Sequence, residues 1–247
     1  MVRLSVNVNK VATLRNARGG QVPDLLQAVR VVLAAGCRGV TVHPRADERH
    51  IRRADVTEIA GLLEPLRDTV EFNVEGDPRP DLMDLVCQLR PHQCTLVPVH
   101  PGEITSQAGW PATTDKGELG KVVRRLQAAG VRVSVFVDAL DEPIRWAAAL
   151  GAERIELYTE PFAHAFAAGH GEQSFERFAR AAELAHSLGL GINAGHDLDL
   201  DNLPLFARLP HLDEVSIGHA LISRALFNGL ESVVREYLAV LSASRAG

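Results

Sequence analysis

Three histidines and two glutamates fall where short apolar runs end: His43 in GVTVH, Glu75 in VEFNVE, Glu156 in RIELY, His196 in INAGH and His219 in SIGH. Histidine exchanges protons near pH 7, and a partly buried glutamate can be raised into the same range. Such a set suits a reaction with several proton transfers rather than attack by one nucleophile. A single histidine at a strand end is ordinarily structural. Five ionisable groups on one face are a different matter, because burying each is unfavourable unless it is paired, and a bare scaffold needs none of them. Asn7, Asn9, Arg45, Asn73, Asp138 and Tyr158 occupy positions of the same kind.

Four of these residues end a common phrase: LAAGCRGVTVH at His43, QAAGVRVSVFVD at Asp138, AALGAERIELY at Tyr158 and HSLGLGINAGH at His196. In each, a helical run closes on a glycine, which accepts the left-handed turn beyond a helix end. A short buried parallel strand then follows. Strands are expected at 4–8, 39–42, 70–74, 93–97, 131–137, 154–157, 191–194 and 214–217. Helices fall between them. Leu25, Val29, Val32 and Leu33 mark the face of the first, and Phe178, Ala181, Ala182 and Ala185 that of a later one. A last helix is expected at 221–241, with the tail 242–247 fraying.

Eight strands alternating with eight helices in 247 residues predict a single TIM-barrel domain over 1–247, a closed (β/α)₈ barrel with extra loop and helix elements. An open doubly wound sheet would carry a Gly-rich fingerprint after its first strand; VATLRNARGG does not match it. In a barrel the C-terminal strand ends form the active site. Two long connections are expected, 9–22 and 99–116, the second suited to a lid.

The net charge of −5, with 46% hydrophobic and 23% charged residues, fits a soluble globular chain. It gives no sign of nucleic-acid or membrane partners. MVRLSVNVNK has no signal-peptide core, so a cytoplasmic protein is expected. Cys37, Cys87 and Cys94 lack metal-type spacing and read as free thiols.

NAGHDL and SIGHALI follow the last two strands and read as phosphate sites. Gly195 and Gly218 admit an anion to backbone N–H groups, and a helix N-terminus begins after Gly218. HPRADERHIRR offers a second anion site through Arg45 and His50, with Arg15 and Arg18 as further candidates. A metal ring of Asn7, His43, Glu75, Asp138 and His196 lacks any local HxH or HxxxH spacing. Lys10 is the one Schiff-base candidate, which keeps another sugar-phosphate aldolase or epimerase as the alternative.

The segments SVNVNKVATLRNARGG, GVTVHPRADERHI, FNVEG, PHQCTLVP, EITSQAGW, NAGHDL and VSIGHALISRAL run in register from Leu4 to Leu241. Through them the chain resembles the pyridoxine 5′-phosphate synthase family. The resemblance implies a homo-oligomeric barrel, typically an octamer, working without metal or organic cofactor. It implies condensation of two phosphorylated small molecules, 1-deoxy-D-xylulose 5-phosphate and 3-amino-2-oxopropyl phosphate, to pyridoxine 5′-phosphate, phosphate and water. It assigns His43, Glu75 and His196 to acid–base positions and Glu156 to transition-state stabilisation. It places Asn7, Arg18, Gly218 and His219 on the amino-ketone phosphate, and Arg45, His50 and Thr105 on the deoxyxylulose phosphate. The chain departs from many members at Asn9-Lys10, where Asp-His touches the deoxyxylulose substrate, and at Asp197, where Gly is common. Asp197 keeps the backbone N–H and is expected to point away and cap the following turn. Glu160 and Pro161 stand where smaller residues are expected.

Overall fold

The computed structural model describes residues 2–99 and 106–243. Eight parallel strands close into a barrel in chain order: β1 (Arg3–Asn7), β2 (Gly39–Val42), β3 (Glu71–Gly76), β4 (Gln93–Leu96), β5 (Arg132–Val137), β6 (Arg154–Tyr158), β7 (Gly191–Gly195) and β8 (Leu212–Ile217). The barrel shuts where Arg3 to Val6 pair with Glu214 to Ile217. Each expected strand is present, with ends moved by one or two residues.

The helical layer is richer than one helix per strand. Between β1 and β2 lie α1 (Asn9–Asn16) and α2 (Leu25–Ala34), followed by α3 (Arg53–Leu63), α4 (Pro80–Leu89), α5 (Lys116–Ala128) and α6 (Asp141–Leu150) in the next connections. Two helices, α7 (Glu160–Ala167) and α8 (Gly171–Ser187), join β6 to β7, and α9 (Leu203–Phe206) precedes β8. The chain ends with α10 (His219–Asn228) and α11 (Leu230–Ala243). Three expectations are thereby corrected. The connection 9–22 begins as a helix, which buries only Val11, Ala12 and Arg15 and so shows little apolar periodicity. The last helix is two, because Gly229 at φ 81° breaks the run. Ser242 and Ala243 belong to α11, while 244–247 lie outside the described residues.

Successive strand residues point to opposite faces. The outward set, including Leu4, Val6, Val40, Val42, Val74, Val133, Val135, Ile155 and Val215, is fully or almost fully buried beneath the helices. At the first described helix face, Asp24 caps α2 by accepting from Gln27 N–H, and Leu25, Val29 and Val32 turn inward to the sheet. The inward set is polar, whereas barrels usually fill their centre with branched apolar residues. A hydrogen-bonded belt runs from Ser5 to Thr41 (2.7 Å), Thr41 to Asn73 (3.4 Å) and Asn73 to Thr95 (3.1 Å). Below it, Arg3 bridges Glu71 (2.6 Å) and Glu214 (2.8 Å), and Arg132 also holds Glu71. This packing makes a polar floor for the groups above it.

Candidate active site

A cavity of about 420 Å³ opens at the C-terminal ends of the strands, within the range of small-molecule sites. It brings together His43, Glu75, Glu156 and His196 with Asn7, Asn9, Lys10, Arg45, His50, Asp197, Gly218 and His219. Two candidates are not among them. Arg18 is exposed on the turn after α1 and does not line the cavity. Thr105 lies outside the described residues. Arg15, considered for an anion, instead makes a bidentate ion pair with Asp55 (2.6 and 2.8 Å), both side chains buried.

The electrostatics of the cavity floor separate bases from acids. Burial pushes His43 down to about 3, helped by the positive field of its neighbours, including His50 and Arg45. It is therefore a neutral imidazole at pH 7. Its Nδ1 stands 3.7 Å from Glu75 Oε2, too far for a hydrogen bond. Burial raises Glu75 well above the carboxylate range, and the nearby Glu156 and Glu214 raise it further, against a hydrogen bond from Ser216. Burial likewise raises Glu156, with Glu214 adding repulsion and Thr95 opposing it by a hydrogen bond. Burial thus favours the protonated form of both carboxyls. His43 Nε2 and Glu156 Oε2 are buried without a protein hydrogen-bond partner. Such atoms are rare in native proteins, and both of these residues line the cavity.

The rim is positive. Lys10 enters from the first turn of α1, Arg45 and Arg49 from the segment after β2. His50 accepts the Ile51 N–H at Nδ1 (2.9 Å), which leaves its proton on Nε2. Burial first, then Lys10 and Arg45, lower it to about 4. In the adjacent sector, Gly218, His219 and Ala220 form the start of α10, where unpaired N–H groups and the helix dipole favour an anion. A Cβ on Gly218 would press on Asn7 at 3.1 Å. Gly195 has a further role beside the one expected. A side chain there would collide with Glu156 Oε1, so this glycine makes room for the carboxyl.

Supporting contacts explain the departures. Asn9 Oδ1 accepts the His43 N–H (3.0 Å), and Asn7 Oδ1 accepts the Asn9 N–H (3.0 Å). An asparagine oxygen serves this purpose as an aspartate would. Asp197 is exposed, and the following turn is capped by Asp199, whose Oδ1 accepts from Asp201 and Asn202 (3.0 and 2.9 Å); the expected cap from Asp197 is corrected. Asp138 accepts the backbone N–H of Gly109, while Trp110 donates to Phe136 O (2.8 Å) and Leu96 O (2.9 Å). Asp138 thus anchors the segment that returns from the fourth connection. Sequence reasoning missed Ser216 and Thr95, which touch the two carboxyls, and Ser106, Arg49 and Phe136 in the cavity wall. Ser216 and Thr95 were legible in principle as inward positions of their strands. Among the described residues no cluster of three or more His, Cys, Asp or Glu is arranged to hold a metal ion, and no helix is long and apolar enough to cross a membrane.

The family described as pyridoxal phosphate biosynthesis protein PdxJ matches residues 4–243. A pyridoxine 5′-phosphate synthase of Porphyromonas gingivalis is 52% identical over 240 residues, covering 96% of this chain and 98% of that protein. One from Xanthomonas oryzae pv. oryzae is 50% identical, covering 100% and 99%. Among solved structures, tryptophan synthase subunit alpha from Legionella pneumophila is similar with a TM-score of 0.66 at 13% identity, covering 98% of this chain and 93% of that one. That last likeness is one of fold.

Proposed function

The chain belongs to the PdxJ family of pyridoxal phosphate biosynthesis proteins, and from that premise we propose how its cavity closes the ring of pyridoxine 5′-phosphate. The substrates are 1-deoxy-D-xylulose 5-phosphate and 3-amino-2-oxopropyl phosphate; the products are pyridoxine 5′-phosphate, phosphate and water. Imine formation, dehydration and removal of a proton from carbon each need a base and an acid in place. Neutral His43 takes protons. Glu75 stores one beside it, and His196 serves the opposite side of the cavity. Glu156, held neutral, donates a hydrogen bond to negative charge as it develops. The observation that carries this reading is the apposition of a buried imidazole and two buried carboxyls around one cavity, burial lowering the proton affinity of the first and raising that of the other two.

Two phosphorylated substrates need two anion sites, and the rim has two. Asn7, Gly218 and His219 at the start of α10 suit the amino-ketone phosphate. Arg45 and His50, with Lys10 beside them, suit the deoxyxylulose phosphate. Thr105 belongs with this second group by resemblance alone. The chain works in the cytoplasm as a homo-oligomer, an octamer by resemblance. Arg18 is exposed and outside its own cavity; in such an oligomer its proposed role is at a phosphate bound in a neighbouring copy. The test is to incubate the purified protein with both substrates and a chelator. Pyridoxine 5′-phosphate and inorganic phosphate are expected in equal amounts; their absence from folded protein refutes the reading.

A further inference from the structure

His196 adopts φ 84° and Asp197 φ 57°, a left-handed region that costs a residue with a side chain about 1–2 kcal/mol. Such strain persists only where the surroundings over-determine it. Thr159 lies opposite, at the N-cap of α7, and is completely buried. An N-cap threonine normally accepts a hydrogen bond from the first turn of its own helix; this one makes no such bond. Its hydroxyl reaches across to β7 instead, contacting Gly195 O (2.6 Å) and His196 O. Its backbone N–H donates to Gly195 O as well (3.0 Å).

Those two carbonyls flank the Cα of His196, one before its φ bond and one after its ψ bond. A single hydroxyl that shares its one proton between both ties the two dihedrals together. Threonine suits the task because branching at Cβ makes χ1 stiff. The next carbonyl is held from the other side, where Asn202 Nδ2 donates to Asp197 O (3.0 Å). With the backbone pinned, the imidazole packs between Phe136 (centroids 5.1 Å apart) and the edge of Tyr158 (5.3 Å, 83°).

We propose that Thr159 is the positioning residue of His196, giving up its helix cap to strap the strained backbone that aims the imidazole into the cavity. The inference rests on the acid–base reading of His196 above. Its effect falls on the chemical step, since Thr159 does not line the cavity. A misaimed proton carrier lowers turnover while the anion sites keep their geometry.

The experiment measures kcat and both KM values of pyridoxine 5′-phosphate formation for the wild type and for Thr159→Ser, Thr159→Cys and Thr159→Val. Serine keeps the donor and should retain kcat within about twofold. Valine keeps the shape without the donor and should lose about tenfold or more in kcat, with each KM within about twofold. Cysteine, a weak donor, should fall between serine and valine, and supplies the comparison if the valine variant does not fold. A valine variant with wild-type kcat, or a cysteine variant equal to serine, overturns the proposal. So does a loss confined to KM. If the wild type itself forms no product, the acid–base reading fails instead, and the two failures are distinct.

Discussion

Replacing Glu156 by glutamine should stabilise the protein progressively as pH rises. The fully buried carboxyl is pushed from an ordinary 4.5 to about 8, so between these limits the folded chain binds a proton that the unfolded chain releases. Stability therefore falls as pH rises through that window. At ~1.4 kcal/mol per tenfold change in proton activity, the penalty reaches roughly 3 kcal/mol at pH 7 and stays below about 1 kcal/mol at pH 5. Glutamine is a neutral isostere with no such penalty. Whatever constant its amide adds or removes, the stability difference between variant and wild type should shift by roughly 2–3 kcal/mol in favour of the variant between pH 5 and pH 7. Urea unfolding at matched protein concentration, at half-unit pH intervals, reads this directly. A difference that does not change with pH would refute the reasoning, because it would mean that Glu156 is ionised in the folded chain. Turnover should fall in the same variant by about tenfold or more if an acidic proton is donated at this position.

Gly195→Ala should drive a methyl group onto the Glu156 carboxyl; a loss of about 1–3 kcal/mol in thermal or urea unfolding, together with reduced kcat, is expected from such overpacking. Arg15→Met strands Asp55 without its buried partner and should lower stability by about 3–5 kcal/mol in urea unfolding. If Arg18 serves a neighbouring copy, mixing inactive Arg18→Ala with inactive His43→Asn under conditions of subunit exchange should restore measurable product formation. No recovery after confirmed exchange would place Arg18 outside the site.

The barrel was legible because its signals are local and repeated. Glycines after helices marked four of the eight strands and short apolar runs the others, and residues such as His43 and His196 stood at their ends. The helical layer was less so. Asn9 to Asn16 lacks an apolar stripe, and the break at Gly229 looks from sequence like one tolerated glycine. The polar lumen was missed because strands such as RVSVFV were read only for their buried apolar residues, without the polar alternation at Arg132 and Ser134. Alternate residues in fact face a centre that holds Ser134, Asn73 and Thr95. Arg15 and Arg18 are three residues apart and chemically alike. Only the position of Asp55 shows that the first is committed to a buried ion pair. Thr159 gave no signal at all, since a threonine before a helix reads as an ordinary cap until the path of β7 is known.

Ring closure by the chain's own proton carriers is tested most directly by following pyridoxine 5′-phosphate formation from the two substrates with wild-type protein and with His43→Asn. His43 is the neutral base whose buried Nε2 lacks a protein partner. The wild type should make the product, and the variant should retain both KM values within a few-fold while losing on the order of 10² or more in kcat. Turnover by the variant at the wild-type rate would contradict the account.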